Sequence, residues 1–156
     1  MDTFKAETKD DKSFIIQAIE STDDEKYLIV ARFNYSIVLM NKYPYNNGHI
    51  LIAPNREVAD ITLLNESEYD EINKVLKLAI QAVKNVYNPH GYNLGVNAGS
   101  AAGAGLPQHL HYHIVPRWNG DSNFMPTIAD VKVVSESIIK SRKLLADEFI
   151  KLRTNE

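Results

Sequence analysis

Three of the five histidines in this chain, His109, His111 and His113, stand at alternate positions in one short segment. The residues between and after them are apolar: Leu110, Tyr112 and Ile114. This alternation is typical of a β-strand, on which every second side chain lies on the same face. The pattern predicts that the three imidazoles line one face, roughly 6.5–7 Å apart. Because histidine can be a nucleophile, a proton carrier or a metal ligand near neutral pH, we expect the functional site here.

The histidine segment leaves other interpretations open. Histidines can be satisfied within a core or solvated at a surface, although three in strict alternation on an apolar strand make this unusual. A His-x-His pair on a strand can also present two imidazoles to one metal ion. The third ligand of a catalytic zinc would then be His113 or His49, but the carboxylate that such sites often include has no candidate nearby in the sequence.

A run of small residues precedes the histidine segment. Gly99, Gly103 and Gly105 all lie within residues 98–105. Glycine lets the backbone turn tightly and brings N–H groups close to an anion. An ordinary flexible connection is the alternative, but the run leads directly into His109, which favours anion binding.

Other polar residues stand where predicted elements end. Asn41 ends one predicted strand and His49 opens the next, after Gly48. Taken singly, both are typical of turns and surfaces. Further along the chain, Asp121 and Asn123 have side chains suited to Asx turns.

The composition predicts one domain over residues 1–156, with 44% hydrophobic and 24% charged residues. Cysteine is absent, which excludes disulfides, thiolate zinc sites and cysteine nucleophiles and fits the cytoplasm. A formal charge of −3 without a basic stripe argues against long nucleic acid as a partner. No apolar run approaches the length of a membrane span, and the first residues lack a signal-peptide pattern. We therefore expect a cytoplasmic protein without membrane contact.

The spacing of apolar residues predicts an α+β fold with a mostly antiparallel sheet. The predicted strands are 26–33 and 35–40, which form a hairpin, then 49–53, which ends at Pro54, then 92–97 and the histidine segment. The predicted helices are 11–20, 66–87 and a last helix capped by Ser135. The helix over 66–87 has the clearest apolar stripe, an N-cap at Asn65 and an end at Asn88-Pro89. That stripe comprises Tyr69, Ile72, Val75, Leu76, Ala79, Val83 and Val86.

The histidine segment, residues 109–115, resembles the signature of the histidine-triad (HIT) superfamily of nucleotide hydrolases and transferases. Residues 48–54 resemble the Gly-His-x-Leu-x-x-Pro strand of that superfamily, and residues 97–99 resemble its Asn-x-Gly step before the phosphate loop. The resemblance covers roughly residues 25 to 126 in the family's order.

Residues 115–124, with residues 45–49 upstream, are more particular. They are similar to the branch that contains diadenosine tetraphosphate phosphorylases and related hydrolases. The resemblance implies a HIT-like sheet of about five antiparallel strands with a long helix and a C-terminal helix. It also implies a homodimer that acts on an adenine nucleotide or a dinucleoside polyphosphate. No tightly bound cofactor or structural zinc is expected, and Mg²⁺ would accompany only the polyphosphate.

The resemblance assigns catalytic roles to four histidines. His111 would attack the α-phosphorus and form a covalent nucleotidyl-histidine, which phosphate or water would then resolve. His109 would bind or protonate the leaving phosphate. His113 and His49 would form a hydrogen-bond network that orients the nucleophile and holds phosphate oxygens.

The resemblance also assigns residues to substrate binding. Asn41 would contact the ribose, and Leu39 would lie in the apolar wall of the base pocket. Asn97 and the amides from Gly103 to Gly105 would stabilise charge on the phosphoryl oxygens. Two positions depart from the family, and both bear on the leaving group or the acceptor. Gly105 stands where relatives often carry a hydroxyl or amide side chain, and Gln108 stands where some carry an acidic one.

Two functional alternatives follow from other readings of the same residues. The first is a purine-nucleotide-binding regulatory module with weak adenosine phosphoramidase activity. The second is a metalloenzyme with histidine ligands. The free histidine between two others favours the nucleotidyl transferase or hydrolase, because binding alone does not need a nucleophile there.

Overall fold

The computed structural model of the protein describes residues 12–121 and 137–155. Five strands form one antiparallel sheet in the order β1-β2-β3-β5-β4. They are β1 (Ile29–Arg32), β2 (Ser36–Met40), β3 (Ile50–Pro54), β4 (Gly91–Val96) and β5 (Tyr112–Arg117). The α-helices are α1 (Phe14–Glu20), α2 (Glu66–Tyr87) and α3 (Ile138–Thr154), and short 3₁₀ helices span Ile61–Leu63 and Ser100–Ala102. The predicted fold of five antiparallel strands with a long helix and a C-terminal helix is confirmed.

The central strands are buried on both faces of the sheet. Every residue of β2 and β3 is buried, which explains why both segments are continuous apolar runs in the sequence. One face packs against α2 and α3 through residues such as Val38, Ile52 and Ile114. The other face packs against α1 near β1 and β2, and towards β5 it carries the histidines.

Helix α2 begins and ends where the sequence predicts. The Asn65 side chain accepts from the N–H of Glu68, and the Glu68 carboxylate accepts from the N–H of Asn65, which forms a capping box. Asn88 ends the helix in the left-handed conformation with a φ of 46°. Most of the predicted stripe is buried, but Tyr69 is 48% exposed and does not belong to the core face. Glu68 is buried instead, because Arg56 pairs with its carboxylate.

The two shorter helices cover opposite faces of the sheet. Helix α1 packs Ile15 and Ala18 against β1 and β2, and the Arg32 guanidinium donates to carbonyl oxygens at the end of the helix. Helix α3 packs Leu145 and Phe149 against the α2 side of the core. Its observed N-cap is Ser137. The predicted cap Ser135 lies outside the described residues.

The histidine segment differs from the prediction, because β5 begins only at Tyr112. His109 and His111 precede the strand, so the prediction that all three histidines lie on one strand is wrong. The physical reason is that the imidazole rings of His109 and His111 bond to backbone carbonyl oxygens, and these bonds replace strand pairing there. The His111 ring donates to the carbonyl oxygen of His109 at 2.9 Å, and the His109 ring donates to the carbonyl oxygen of Pro54 at 2.8 Å.

None of the helices in residues 12–121 and 137–155 is both long enough and apolar enough to span a membrane.

Packing of α3 on the core gives a direct stability prediction. Leu145 is fully buried, and we expect Leu145→Ala to lower the free energy of unfolding by about 3 kcal/mol through lost burial and a cavity. The neighbouring Leu144 is 39% exposed and provides the matched control. Urea denaturation followed by circular dichroism measures both, and equal losses for the two variants would contradict this packing.

Candidate active site

His111 is held by its own backbone. Its Nδ1 lies 2.9 Å from the carbonyl oxygen of His109, and a carbonyl can only accept, so Nδ1 carries the proton. The neutral ring therefore has its lone pair on Nε2. Among the described residues, Nε2 of His111 has no hydrogen-bond partner, which leaves this nitrogen available as a nucleophile.

A second chain of hydrogen bonds sets the protonation of His49 and His113. The backbone N–H of Tyr45 donates to Nδ1 of His49 at 3.2 Å, so neutral His49 carries its proton on Nε2. This Nε2 lies 3.0 Å from Nδ1 of His113 and donates to it. His113 must then carry its own proton on Nε2. The chain starts from a donor that cannot accept, and it therefore delivers an N–H at the far side of His113.

The two rings that face each other are those of His111 and His113. Their centroids are 4.9 Å apart in an edge-to-face arrangement, and the centroids of His49 and His113 are 5.2 Å apart. The register explains the proximity of His49 and His113, because His113 pairs with Leu51, and Leu51 is two residues beyond His49 on the same face of the sheet. The ring of His111, with its lone pair on Nε2, thus lies next to the ring of His113, which carries an N–H on Nε2.

Burial keeps the His49 and His113 rings neutral. Desolvation, followed by the proximity of His113 and His111, lowers the pKa of His49 to about 3. Desolvation and the neighbouring His111 lower the pKa of His113 to about 4. Near neutral pH both rings are therefore uncharged, which is the state in which the hydrogen-bond chain from Tyr45 can form.

His109 occupies a different environment from the other two triad histidines. It is fully buried, its Nε2–H donates to the carbonyl oxygen of Pro54, and burial lowers its pKa. Within the part of the chain that the structure describes, its Nδ1 has no hydrogen-bond partner. The ring ties the end of β3 to the segment before β5, and the contact of His109 with a leaving phosphate stays a prediction.

The small-residue loop continues from β4 beside the histidines. Val96 pairs with Tyr112, so the following Asn97 is exposed next to the segment that carries His111. Gly99 and Gly103 have φ values of +81° and +87°, a conformation that favours glycine.

The amides of this loop differ in availability. The N–H of Gly103 donates to the carbonyl oxygen of Ser100, and the N–H of Ala104 donates to that of Gly99. Over residues 12–121 and 137–155, the N–H of Gly105 has no such partner. Gly105 and Gln108 are both exposed ahead of the histidine segment.

Asn41 and Leu39 are the residues predicted to contact the ribose and the base. Leu39 lies in β2, and Asn41 follows the end of that strand. The Asn41 side chain accepts from the N–H of Tyr43, which is an Asx turn, while its Nδ2 donates to Nδ1 of His49 at 3.4 Å. Leu39 is 2% exposed and packs with residues that α1 covers. The structure thus brings Asn41 to the histidines and keeps Leu39 in the apolar layer beneath.

Sequence reasoning missed a network that anchors the loop carrying His49. The Asp121 carboxylate accepts from Arg117, from the N–H of Trp118 and from Nδ2 of Asn46 at 2.8 Å. Arg117 holds the pKa of this carboxyl well below its usual range. The Asx turn predicted for Asp121 stays a prediction, because the observed bond is to the N–H of Trp118, three residues earlier. The i,i+4 spacing of Arg117 and Asp121 was the available signal for this network. Asn123 lies outside the described residues.

Metal binding was the main alternative for these histidines. Over residues 12–121 and 137–155, no group of three or more histidine, aspartate or glutamate side chains is arranged to hold an ion.

The sequence of this chain matches a known protein family. The sequence model of the HIT domain matches residues 22–120, which include all four histidines described above. The chain belongs to the HIT family. The resemblance inferred from the sequence is confirmed.

Relatives within the HIT family show which branch is similar. A Mycobacterium tuberculosis protein named AP-4-A phosphorylase is 42% identical over 131 residues, which are 84% of this chain and 67% of that protein. A Schizosaccharomyces pombe protein named asymmetrical bis(5'-nucleosyl)-tetraphosphatase is 31% identical over 90 residues, 58% of this chain and 49% of that protein. Among solved structures, a hypothetical histidine triad nucleotide-binding protein from Sulfolobus tokodaii has a TM-score of 0.67 and 25% identity, covering 81% of this chain and 85% of that one.

The hydrogen-bond chain predicts specific protonation states. We expect ¹⁵N–¹H spectra of the imidazoles to show His111 as the Nδ1–H form and His49 and His113 as Nε2–H forms, with His49 and His113 neutral at pH 5.5 because their pKa values are lowered. Exposed His90, which lies outside the cluster, is the control. An Nδ1–H form of His49 would contradict the geometry.

The same pKa shifts predict how stability changes with pH. Below about pH 6.5 the unfolded histidines bind protons while folded His49 and His113 do not. The free energy of unfolding should therefore fall as the pH is lowered from about 6.5 towards about 4. Urea titrations across this range measure the slope, and replacing His113 by Gln should reduce it.

Proposed function

We propose that this protein cleaves dinucleoside polyphosphates such as diadenosine tetraphosphate at the α-phosphate, through a covalent nucleotide on His111. The observation that carries the proposal is that the ring of His111, unprotonated at Nε2, has its centroid 4.9 Å from that of His113, which carries its proton on Nε2. A nucleophile and a hydrogen-bond donor in this relation suit the two ends of a displacement at phosphorus. The names of the Mycobacterium tuberculosis and Schizosaccharomyces pombe relatives support this substrate class.

The first step forms a bond from Nε2 of His111 to the α-phosphorus and breaks the bond from phosphorus to the bridging oxygen. The leaving nucleotide departs as a phosphate anion, so no proton need be transferred to it. The Nε2–H of His113 donates a hydrogen bond to this group as negative charge develops. The imidazolium formed on His111 keeps its Nδ1–H, and the carbonyl oxygen of His109 stabilises it. His109 thus contributes through its backbone.

The second step releases the nucleotide from His111. Water would attack the phosphorus, lose a proton to solvent and give a nucleoside monophosphate, whereas inorganic phosphate would give a nucleoside diphosphate. We favour phosphate as the acceptor because the Mycobacterium tuberculosis relative, 42% identical over 131 residues, carries the name of a phosphorylase. Asn97 and the amide of Gly105 would hold the phosphoryl oxygens, Gln108 would border the acceptor, and Asn41 and Leu39 would hold the ribose and base. Mg²⁺ would enter only with the polyphosphate.

We also propose that the protein forms a homodimer through β4. This strand lies at the edge of the sheet, and its residues Tyr92 and Leu94 are 40% and 45% exposed. An edge strand has unpaired backbone groups that a second copy can pair with. Exposed Tyr69 on α2 adds to the apolar surface available to a partner.

The catalytic proposal is tested by product analysis. We expect His111→Ala to lower turnover of diadenosine tetraphosphate about a thousandfold or more, because no other group replaces the nucleophile. Mass spectrometry of wild-type reactions should show ADP plus ATP when phosphate is present. AMP plus ATP without phosphate would indicate hydrolysis.

The control for this test is His90→Ala, which removes an exposed histidine outside the cluster and should retain activity. Normal turnover by His111→Ala would disprove the mechanism. Tight nucleotide binding by the wild type without turnover would favour the regulatory module, and turnover of adenosine phosphoramidates alone would indicate a different substrate.

The dimer proposal predicts that Leu94→Arg gives a monomer, because a charge at the interface would remain unpaired and desolvated. Light scattering after size exclusion measures the mass. Leu63→Arg, at a residue that is 56% exposed on the 3₁₀ helix, is the control and should remain dimeric. A dimeric Leu94→Arg would place any interface elsewhere.

A further inference from the structure

Four aromatic rings follow one another in a row that runs from solvent into the active site. Tyr45 is the outermost ring, and it lies over His49 at a centroid distance of 5.3 Å with only 16° between the ring planes. His113 and His111 follow at 5.2 and 4.9 Å. Tyr45 is 60% exposed, whereas His49 is fully buried. An exposed tyrosine therefore forms the solvent-facing cover of a buried histidine.

Tyr45 contacts His49 in two independent ways. Its backbone N–H donates to Nδ1, and its side chain stacks on the imidazole face. The loop is fixed immediately after Tyr45. Asn46 donates to the Asp121 carboxylate and its carbonyl oxygen accepts from the N–H of His49, while Gly48 approaches the Tyr87 ring so closely that a Cβ would lie 2.6 Å from it. These contacts hold the backbone that presents Tyr45 to His49.

We propose that Tyr45 is a positioning residue that holds His49 in the orientation in which Nε2 donates to His113. This inference rests on the proposed function, since it concerns the same hydrogen-bond chain. The ring excludes water from Nδ1, so that the weak donor N–H of the backbone is not displaced. The phenolic hydroxyl is not needed for this role, because the contact with His49 is made by the ring face.

The electrostatics of the cluster explain why exclusion of water matters. The ionisable groups that act on His49 are His113 and His111, and each disfavours a proton on His49. Burial is the largest cause of the lowered pKa of His49. Removal of the Tyr45 ring would expose one imidazole face. His49 could then bind a proton at Nδ1, which would break its bond from the backbone of Tyr45.

The test compares three variants of the full chain. Tyr45→Ala should lower kcat/KM about tenfold, the scale on which partners that orient a histidine act, and the loss should appear in kcat. The acid limb of its pH profile should move to higher pH. Tyr45→Phe should restore both. Tyr43→Ala is the matched control, because Tyr43 lies in the same loop, is 79% exposed and has no ring contact with a histidine in the described structure.

Imidazole ¹⁵N spectra make the test independent of substrate. Tyr45→Ala should raise the pKa of His49 and shift its Nδ1 signal, and Tyr45→Phe should not. Unchanged His49 signals in Tyr45→Ala would overturn the proposal. So would a loss confined to KM for dinucleoside polyphosphates, because it would make Tyr45 a contact for the second base. Absence of turnover in the wild type would end the proposed function, but the spectra would still decide the role of Tyr45.

Discussion

The hydrogen bond from the backbone N–H of Tyr45 to Nδ1 of His49 determines the chemistry of the whole site. A backbone amide can only donate, so this bond fixes the proton of neutral His49 on Nε2. The bond from His49 to His113 then fixes the proton of His113 on its far side. A carbonyl that can only accept fixes His111 in the opposite form. Two backbone groups thus make one histidine a nucleophile and its neighbour a donor.

This arrangement depends on a sheet whose two faces have different roles. Helices α2 and α3 cover one face, and their packing against β2, β3 and β5 supplies the main core. The other face is covered by α1 only near β1 and β2, which leaves the part next to β5 available for the histidines. The buried sheet supplies rigidity, and the part of this face that α1 does not cover carries the buried histidines. The central position of β3 and β5 brings together His49 and His113, which are 64 residues apart.

The segment before β5 shows how side-chain hydrogen bonds to the backbone change local structure. The alternation of apolar residues favours a strand from His109 onwards, and Leu110 and Ile114 are indeed buried. Yet the rings of His109 and His111 bind the carbonyl oxygens of Pro54 and His109, and strand pairing begins only at Tyr112. Side chains that bond to the backbone compete with the ladder. The result turns His109 into a tie between β3 and β5.

The sequence by itself determined the family, the five strands, the extent of α2 and the four histidines, because periodicity, capping residues and motifs are local properties of the chain. It also placed Asn41 and Asn97 near the ends of the strands that border the site. The tertiary structure alone decided which nitrogen of each histidine carries the proton, that Tyr45 covers His49, and that Asp121 binds Asn46, 75 residues away. The bonds from His49 to His113 and from Asn46 to Asp121 join segments distant in sequence. The contacts of Tyr45 with His49 and of His111 with His109 are close in sequence, but they depend on the conformation of their loops. Their geometry is set by how the sheet and loops pack, and no local pattern encodes it.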